Sequence, residues 1–249
     1  MTMKETRILM GMPVTVEIVD LSATKDEIEK IFTYFTYVDE KFSTYKKTSE
    51  IMAINSGEIK EKDASGDMKE VFALSEETRR LTDGYFDIKK PDGSYDPSGL
   101  VKGWAIKRAA DILTKDGFEN YYVEAGGDIQ VRGHNANDEK WKVGIRNPFN
   151  RDQNVKVVYV ETEGVATSGT YIRGQHIYNP HEVGPLEEIV SLTVIGPNIY
   201  EADRFATAAF AMGRKGIYFI ENLAGFEGYM IDKDGQATET SQFGAYTKA

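Results

Sequence analysis

The chain has 249 residues, 41% of them hydrophobic and 28% charged, an ordinary balance for a globular protein that buries a core without staples. Its formal net charge of −10 argues against a general nucleic-acid binder, which needs a basic surface to neutralise phosphates; a local positive pocket stays open. With no cysteine, disulfides, thiolate metal ligands and a cysteine nucleophile are excluded.

The opening, MTMKETRILMGMPVTVEIVD, lacks the basic-then-apolar order of a secretory signal, and no run approaches the roughly 20 apolar residues of a membrane span. The expectation is a cytoplasmic protein, or a periplasmic or membrane-anchored one if a leader has been removed. Alternating Val14, Val16 and Ile18 predict a half-buried strand. Thr24 and Glu27 have the spacing of a capping box, and Ile28, Ile31, Phe32, Phe35 and Val38 then mark one face of a helix. A second amphipathic helix is expected over 67–81, with Met68, Val71 and Phe72 inward, and a third over 103–114. From 121 onward strand patterns dominate, interrupted by one helix at about 200–213. Strands grouped with helices, rather than strictly alternating, predict an α+β fold. No convincing internal repeat or linker is visible, so 1–249 reads as a single compact domain, two-lobed at most.

Three segments carry chemistry. In DPSGLVKGWAIKRAADIL, residues 96–113, Asp96, Ser98, Gly99, Lys102 and Gly103 crowd a turn that opens a helix. A helix start offers free N–H groups and a favourable dipole to an anion, and Lys102 adds charge. The same residues also read as an ordinary N-cap followed by turn glycines. In EADRFATAAFAMG, residues 201–213, Asp203 and Thr207 fall four apart and share a helix face. A carboxylate beside a hydroxyl is a hard oxygen pair suited to Mg²⁺, while a solvated Asp and a backbone-bonded Thr remain the plainer alternative. In VATSGTYIRGQHIYNPHEVGP, residues 165–185, His176 is apt as a base near neutral pH, or equally as a hydrogen-bonded hairpin histidine. YYVEAGGDIQVRG, residues 121–133, reads as a strand ending in a Gly-Gly turn.

Taken in order, MGMPVTV, FSTYKKTSEIMAIN, TDGYFDIKK, DPSGLVKGWAIKRA, VEAGGDIQVRG, VATSGTYIR, HIYNPHEVGP and EADRFATAAFAMG resemble the FAD:protein FMN transferases of the ApbE family across nearly the whole chain. The resemblance implies a T-fold-like antiparallel sheet with packed helices. It implies transfer of FMN from FAD to a threonine of an acceptor flavoprotein subunit, with Mg²⁺ and release of AMP. Gly99 matches a position giving a backbone carbonyl to Mg²⁺, and Asp203 and Thr207 match its side-chain ligands. Asp96 and Lys102 match FAD-contacting positions. Met10, Tyr45, the Tyr85–Phe86–Asp87 run and Tyr178 match residues that hold the flavin and adenosine parts. His176 matches a histidine that prepares the acceptor threonine for attack.

The chain departs from the pattern in places. Only IKKPDGSY, residues 88–95, separates two elements usually farther apart; Asn179 stands where Asp is commoner before Pro, and Gly99 where some members have Ala. Other functions consistent with these residues are an FAD pyrophosphatase, with water as the nucleophile, and a flavin-binding protein without catalysis. A purely structural interaction domain is the remaining alternative.

Overall fold

Alternating apolar residues and glycine-punctuated turns generate most of the architecture. The computed structural model describes residues 2–170, 181 and 187–248. Its strands are β1 (Met3–Leu9), β2 (Met12–Ile18), β3 (Tyr121–Ala125), β4 (Asp128–Arg132), β5 (Trp141–Asn147), β6 (Asn150–Val160), β7 (Gly164–Gly169), β8 (Ile189–Gly196), β9 (Glu227–Asp232) and β10 (Ala237–Glu239). The helices are α1 (Lys25–Phe42), α2 (Glu50–Asn55), α3 (Gly66–Leu81), α4 (Ser98–Lys115), α5 (Ile199–Ala211) and α6 (Gly216–Glu221). The α+β expectation holds.

Eight strands form one antiparallel sheet in the order β1-β2-β3-β4-β7-β8-β9-β10. Helices α1 to α4 lie between the paired strands β2 and β3, and α5 and α6 between the paired strands β8 and β9. Hairpin, helices, hairpin therefore occurs twice, and the two halves join at β4–β7. This repeat of topology leaves no trace in the sequence, because such a unit needs only apolar alternation and the two helical inserts differ in length.

One face of the sheet carries α1, α4 and α5 over a core that includes Val16, Val123, Ala166 and Val194. The opposite face is covered by the β5–β6 hairpin and a 3₁₀ turn at Phe243–Thr247, enclosing Ile129, Val131, Trp141, Val158 and Phe243. The capping box at Thr24 and Glu27 is present, and all five stripe residues of α1 are buried. At roughly 1.5–3 kcal/mol for each fully buried large apolar side chain, that stripe outweighs any helix-propensity term and fixes how α1 docks. Among the described residues no helix is long and apolar enough to cross a membrane.

One element boundary and two short helices differ from expectation. Helix α4 begins at Ser98 rather than near 103, so Gly99 and Lys102 belong to its first turns instead of a preceding loop. Pro97 suits a position just before a helix, since it has no N–H to leave unpaired there. The short helices α2 and α6, six residues each, escape periodicity because they span under two turns.

Candidate active site at the α4–α5 contact

Two glycines place α5. Helix α4 crosses α5 at Gly103, where a Cβ would lie 2.6 Å from Asp203 Cβ and 2.9 Å from the Ile199 carbonyl oxygen. A glycine inside a helix costs about 1 kcal/mol relative to alanine, and here the cost is offset by close approach of the two helices. The start of α5 sits directly on β7: a Cβ on Gly164 would fall 2.0 Å from the Ile199 nitrogen. Two side chains complete the anchor. The Asn198 side chain caps α5 by accepting from the Glu201 N–H at 3.1 Å, and Gln130 Oε1 on β4 accepts from the Ile199 N–H at 2.8 Å. Buried Arg204 ties the same helix to α3, donating to Thr78 Oγ1 at 3.2 Å and pairing with Glu201 at 2.6 Å.

That packing brings the expected metal trio together from two distant segments. Thr207 Oγ1 lies 3.5 Å from the Gly99 carbonyl oxygen and 3.5 Å from Ser168 Oγ on β7. One turn back on α5, Asp203 Oδ2 accepts the Gly103 N–H at 2.8 Å. Lys102 Nζ stands 3.5 Å from Asp203 Oδ1 and makes a closer ion pair with Asp128. Asp128 opens β4 opposite Ala125, so its side chain shares the helix-covered face, and its Oδ1 accepts the Thr167 N–H at 3.0 Å. Both carboxylates are buried.

Two buried acids thus share one ammonium, which leaves an uncompensated negative charge in a desolvated place. Burial pushes the Asp203 carboxyl up to about 7, Lys102 opposes the shift and the neighbouring Asp128 adds to it. Among the described residues no group of three or more His, Asp or Glu side chains is placed to hold a metal ion. The oxygen donors that do meet are the Thr207 and Ser168 hydroxyls and the Gly99 carbonyl, with the Asp203 carboxylate one turn back on α5.

The remaining expected residues divide. Phe86 is buried, its ring 3.4 Å from where a Cβ on Gly99 would be, so it supports the α4 turn from beneath rather than standing as an open wall. Tyr85 meets the ring of His181 edge-on with centroids 4.5 Å apart, and a His181 ring nitrogen is 2.8 Å from the Asp83 carbonyl. Asp96 Oδ1 accepts from the Ser98 N–H at 3.2 Å and steadies the entry to α4. Asp87 is exposed and accepts from the Lys89 N–H at 2.8 Å. Met10 sits at φ 53° beside Gly11 in the tight β1–β2 turn, adjoining the Gly126–Gly127 turn that leads into Asp128. A Cβ on Gly126 would strike the Met12 sulfur at 2.8 Å, and the Gly126 N–H donates to the Pro13 carbonyl at 3.0 Å, so the two hairpin tips pack together. Tyr45 is not brought in by packing: it stands 95% exposed after α1. His176 and Tyr178 lie outside the described residues. The short 88–95 link folds into a loop clamped by Asn55, which bonds both the N–H and the carbonyl of Tyr95.

Asp128 and Ser168 also belong to this arrangement, though the sequence does not single them out. The signal for Asp128 was present in AGGD, read only for its glycines.

A model of the ApbE family matches residues 10–90 and 88–230. The chain is 31% identical over 160 residues to the FAD:protein FMN transferase of Salmonella typhimurium, covering 60% of this chain and 46% of that protein. The match thus spans about half the length of that relative. To the FAD:protein FMN transferase of Haemophilus influenzae it is 23% identical over 319 residues, 98% of this chain and 92% of that protein. The crystal structure of the ApbE protein from Thermotoga maritima superimposes with a TM-score of 0.87 at 20% identity, covering 100% of both chains, a likeness of fold. The chain belongs to the ApbE family.

Proposed function

We propose that residues 1–249 act as one flavin-transferase domain, moving the FMN half of FAD onto a threonine hydroxyl of an acceptor flavoprotein and releasing AMP, with Mg²⁺. The observation that carries this reading is the meeting of Lys102, Asp203, Thr207 and the Gly99 carbonyl at one helix crossing. Family membership and the names of the relatives supply the reaction type.

The donors fit the metal. Asp203, Thr207 and the Gly99 carbonyl offer only oxygen, the ligand type Mg²⁺ takes, and the second negative charge shared with Asp128 favours a cation. When bound there, Mg²⁺ would neutralise charge on the phosphate oxygens and lower the barrier to phosphoryl transfer. The protein does the rest by position. Lys102 binds the pyrophosphate from the first turns of α4, where the helix dipole favours the same anion. Asp96 and the buried Phe86 fix that turn, while Met10, Tyr85, Asp87 and Tyr178 take up the flavin and adenosine ends. His176 accepts the proton of the acceptor threonine as its oxygen forms a bond to the FMN phosphorus. The P–O bond to AMP breaks, and AMP departs with the bonding electrons.

The test is direct. The protein is incubated with FAD, Mg²⁺ and a candidate flavoprotein acceptor, which is then weighed by mass spectrometry. The expected result is an acceptor heavier by one FMN less water, with equimolar AMP. Free FMN beside an unmodified acceptor, over a panel of threonine-bearing acceptors, would replace this reading with hydrolysis.

A further inference from the structure

Two buried aspartates face Lys102, and their contacts are not equivalent. Asp128 is held from two elements: Oδ1 takes the Thr167 N–H of β7 at 3.0 Å, and its other oxygen makes the closer of the two Lys102 ion pairs. Asp203 commits Oδ2 to the Gly103 N–H at 2.8 Å, its Oδ1 meets the ammonium across 3.5 Å, and its carboxyl also lies against that of Asp128. The Lys102 side chain is 17% exposed, and the two carboxylates 2% and 3%, so these are desolvated charges and their geometry matters. A lysine is a compact point charge on a flexible four-carbon stem. Released from Asp128, its ammonium would close on the nearest remaining carboxylate, which is Asp203.

We infer that Asp128 is a positioning residue that holds the Lys102 ammonium back from Asp203, keeping Asp203 Oδ1 available to a divalent cation. Asp128 acts through Lys102, not as a ligand. The division of labour explains why the fold places a second carboxylate beside the first. The inference rests on the metal reading proposed above and adds a residue that the family resemblance did not supply.

The experiment uses the full chain and Mn²⁺ alone, titrated by electron paramagnetic resonance, so no turnover is needed. Asp128→Asn preserves size and an acceptor for the Thr167 N–H but removes the charge that restrains Lys102. It should weaken Mn²⁺ at least tenfold. In a Lys102→Met background the same substitution should cost less than threefold, because no ammonium is left to restrain. Lys102→Met alone should tighten Mn²⁺ by removing a competing cation. A tenfold loss from Asp128→Asn in both backgrounds would make Asp128 a direct ligand and overturn the inference, as would no loss in either. Should Asp128→Asn fail to fold by circular dichroism, Asp128→Ser replaces it, and looser Mn²⁺ in Lys102→Met overturns the inference without any Asp128 variant. Asp203→Asn separates the two readings. If it leaves Mn²⁺ affinity unchanged, the metal site itself is wrong. If it abolishes binding while Asp128→Asn is silent, only the positioning role fails.

Discussion

The proposed metal role of Asp203 sets function against stability in one side chain. Its folded-state pKa, pushed up to about 7 mainly by burial, exceeds the ordinary carboxylate value of 3.8. Between those values the folded chain holds a proton that the unfolded chain has released. The stabilisation is therefore complete below about pH 4 and disappears as pH rises through about 7. Metal-free protein should melt progressively lower over that window. Asp203→Asn, neutral throughout, should flatten the slope and melt above the parent at pH 8 while losing transfer activity. Differential scanning calorimetry in EDTA from pH 5 to 8 checks this, and a parallel, undiminished slope in the variant would refute it. Thr207→Val should cost less activity than Asp203→Asn, and excess Mg²⁺ should partly rescue it, because the proposed site would lose only a neutral ligand. Lys102 has a different signature. Lys102→Ala should weaken FAD much more than riboflavin, which carries no phosphate, and equal losses by fluorescence titration would count against its role as a phosphate cation.

At the scale of elements, the site depends on how closely α4 and α5 cross. Alanine at Gly103 improves helix propensity by about 1 kcal/mol in isolation. In the folded protein its Cβ would be 2.6 Å from Asp203 Cβ and 2.9 Å from the Ile199 backbone oxygen, and a carbonyl oxygen cannot rotate away. Overpacking of this kind typically costs about 1–3 kcal/mol, so the clash wins. Gly103→Ala should lower the urea midpoint and loosen Mn²⁺ together, since the same displacement moves Asp203. A variant with unaltered stability and metal affinity would show that the helices can separate without consequence.

For the molecule as a whole, the sheet keeps the site and the second core apart. The helix-covered face carries Asp128, Asp203 and Thr207, whereas Trp141 packs on the other face beside Tyr122, with ring centroids 5.5 Å apart. Trp141→Ala should cost about 3–5 kcal/mol of stability as a large-to-small core substitution. FAD affinity, measured where the variant remains folded, should stay within twofold. A comparable loss of FAD affinity would mean that the β5–β6 layer shapes the site through the sheet.

Much of this was legible in the residues alone. The Thr24 capping box, the α1 stripe, the β3 strand ending in paired glycines, and the Asp203–Thr207 spacing all follow from local rules, because period, cap and turn chemistry act within a few residues. The family resemblance could be read from ordered motifs for the same reason. Other features were decided only by the tertiary structure. Gly103 looks like a poor helix residue until α5 lies across it, and Asp128 of AGGD is an ordinary turn-flanking acid until Lys102 and Thr167 meet it. The burial of Phe86 and the doubled hairpin–helices–hairpin topology were equally hidden. Each depends on contacts between segments well separated along the chain, and no local pattern encodes a distance of that kind.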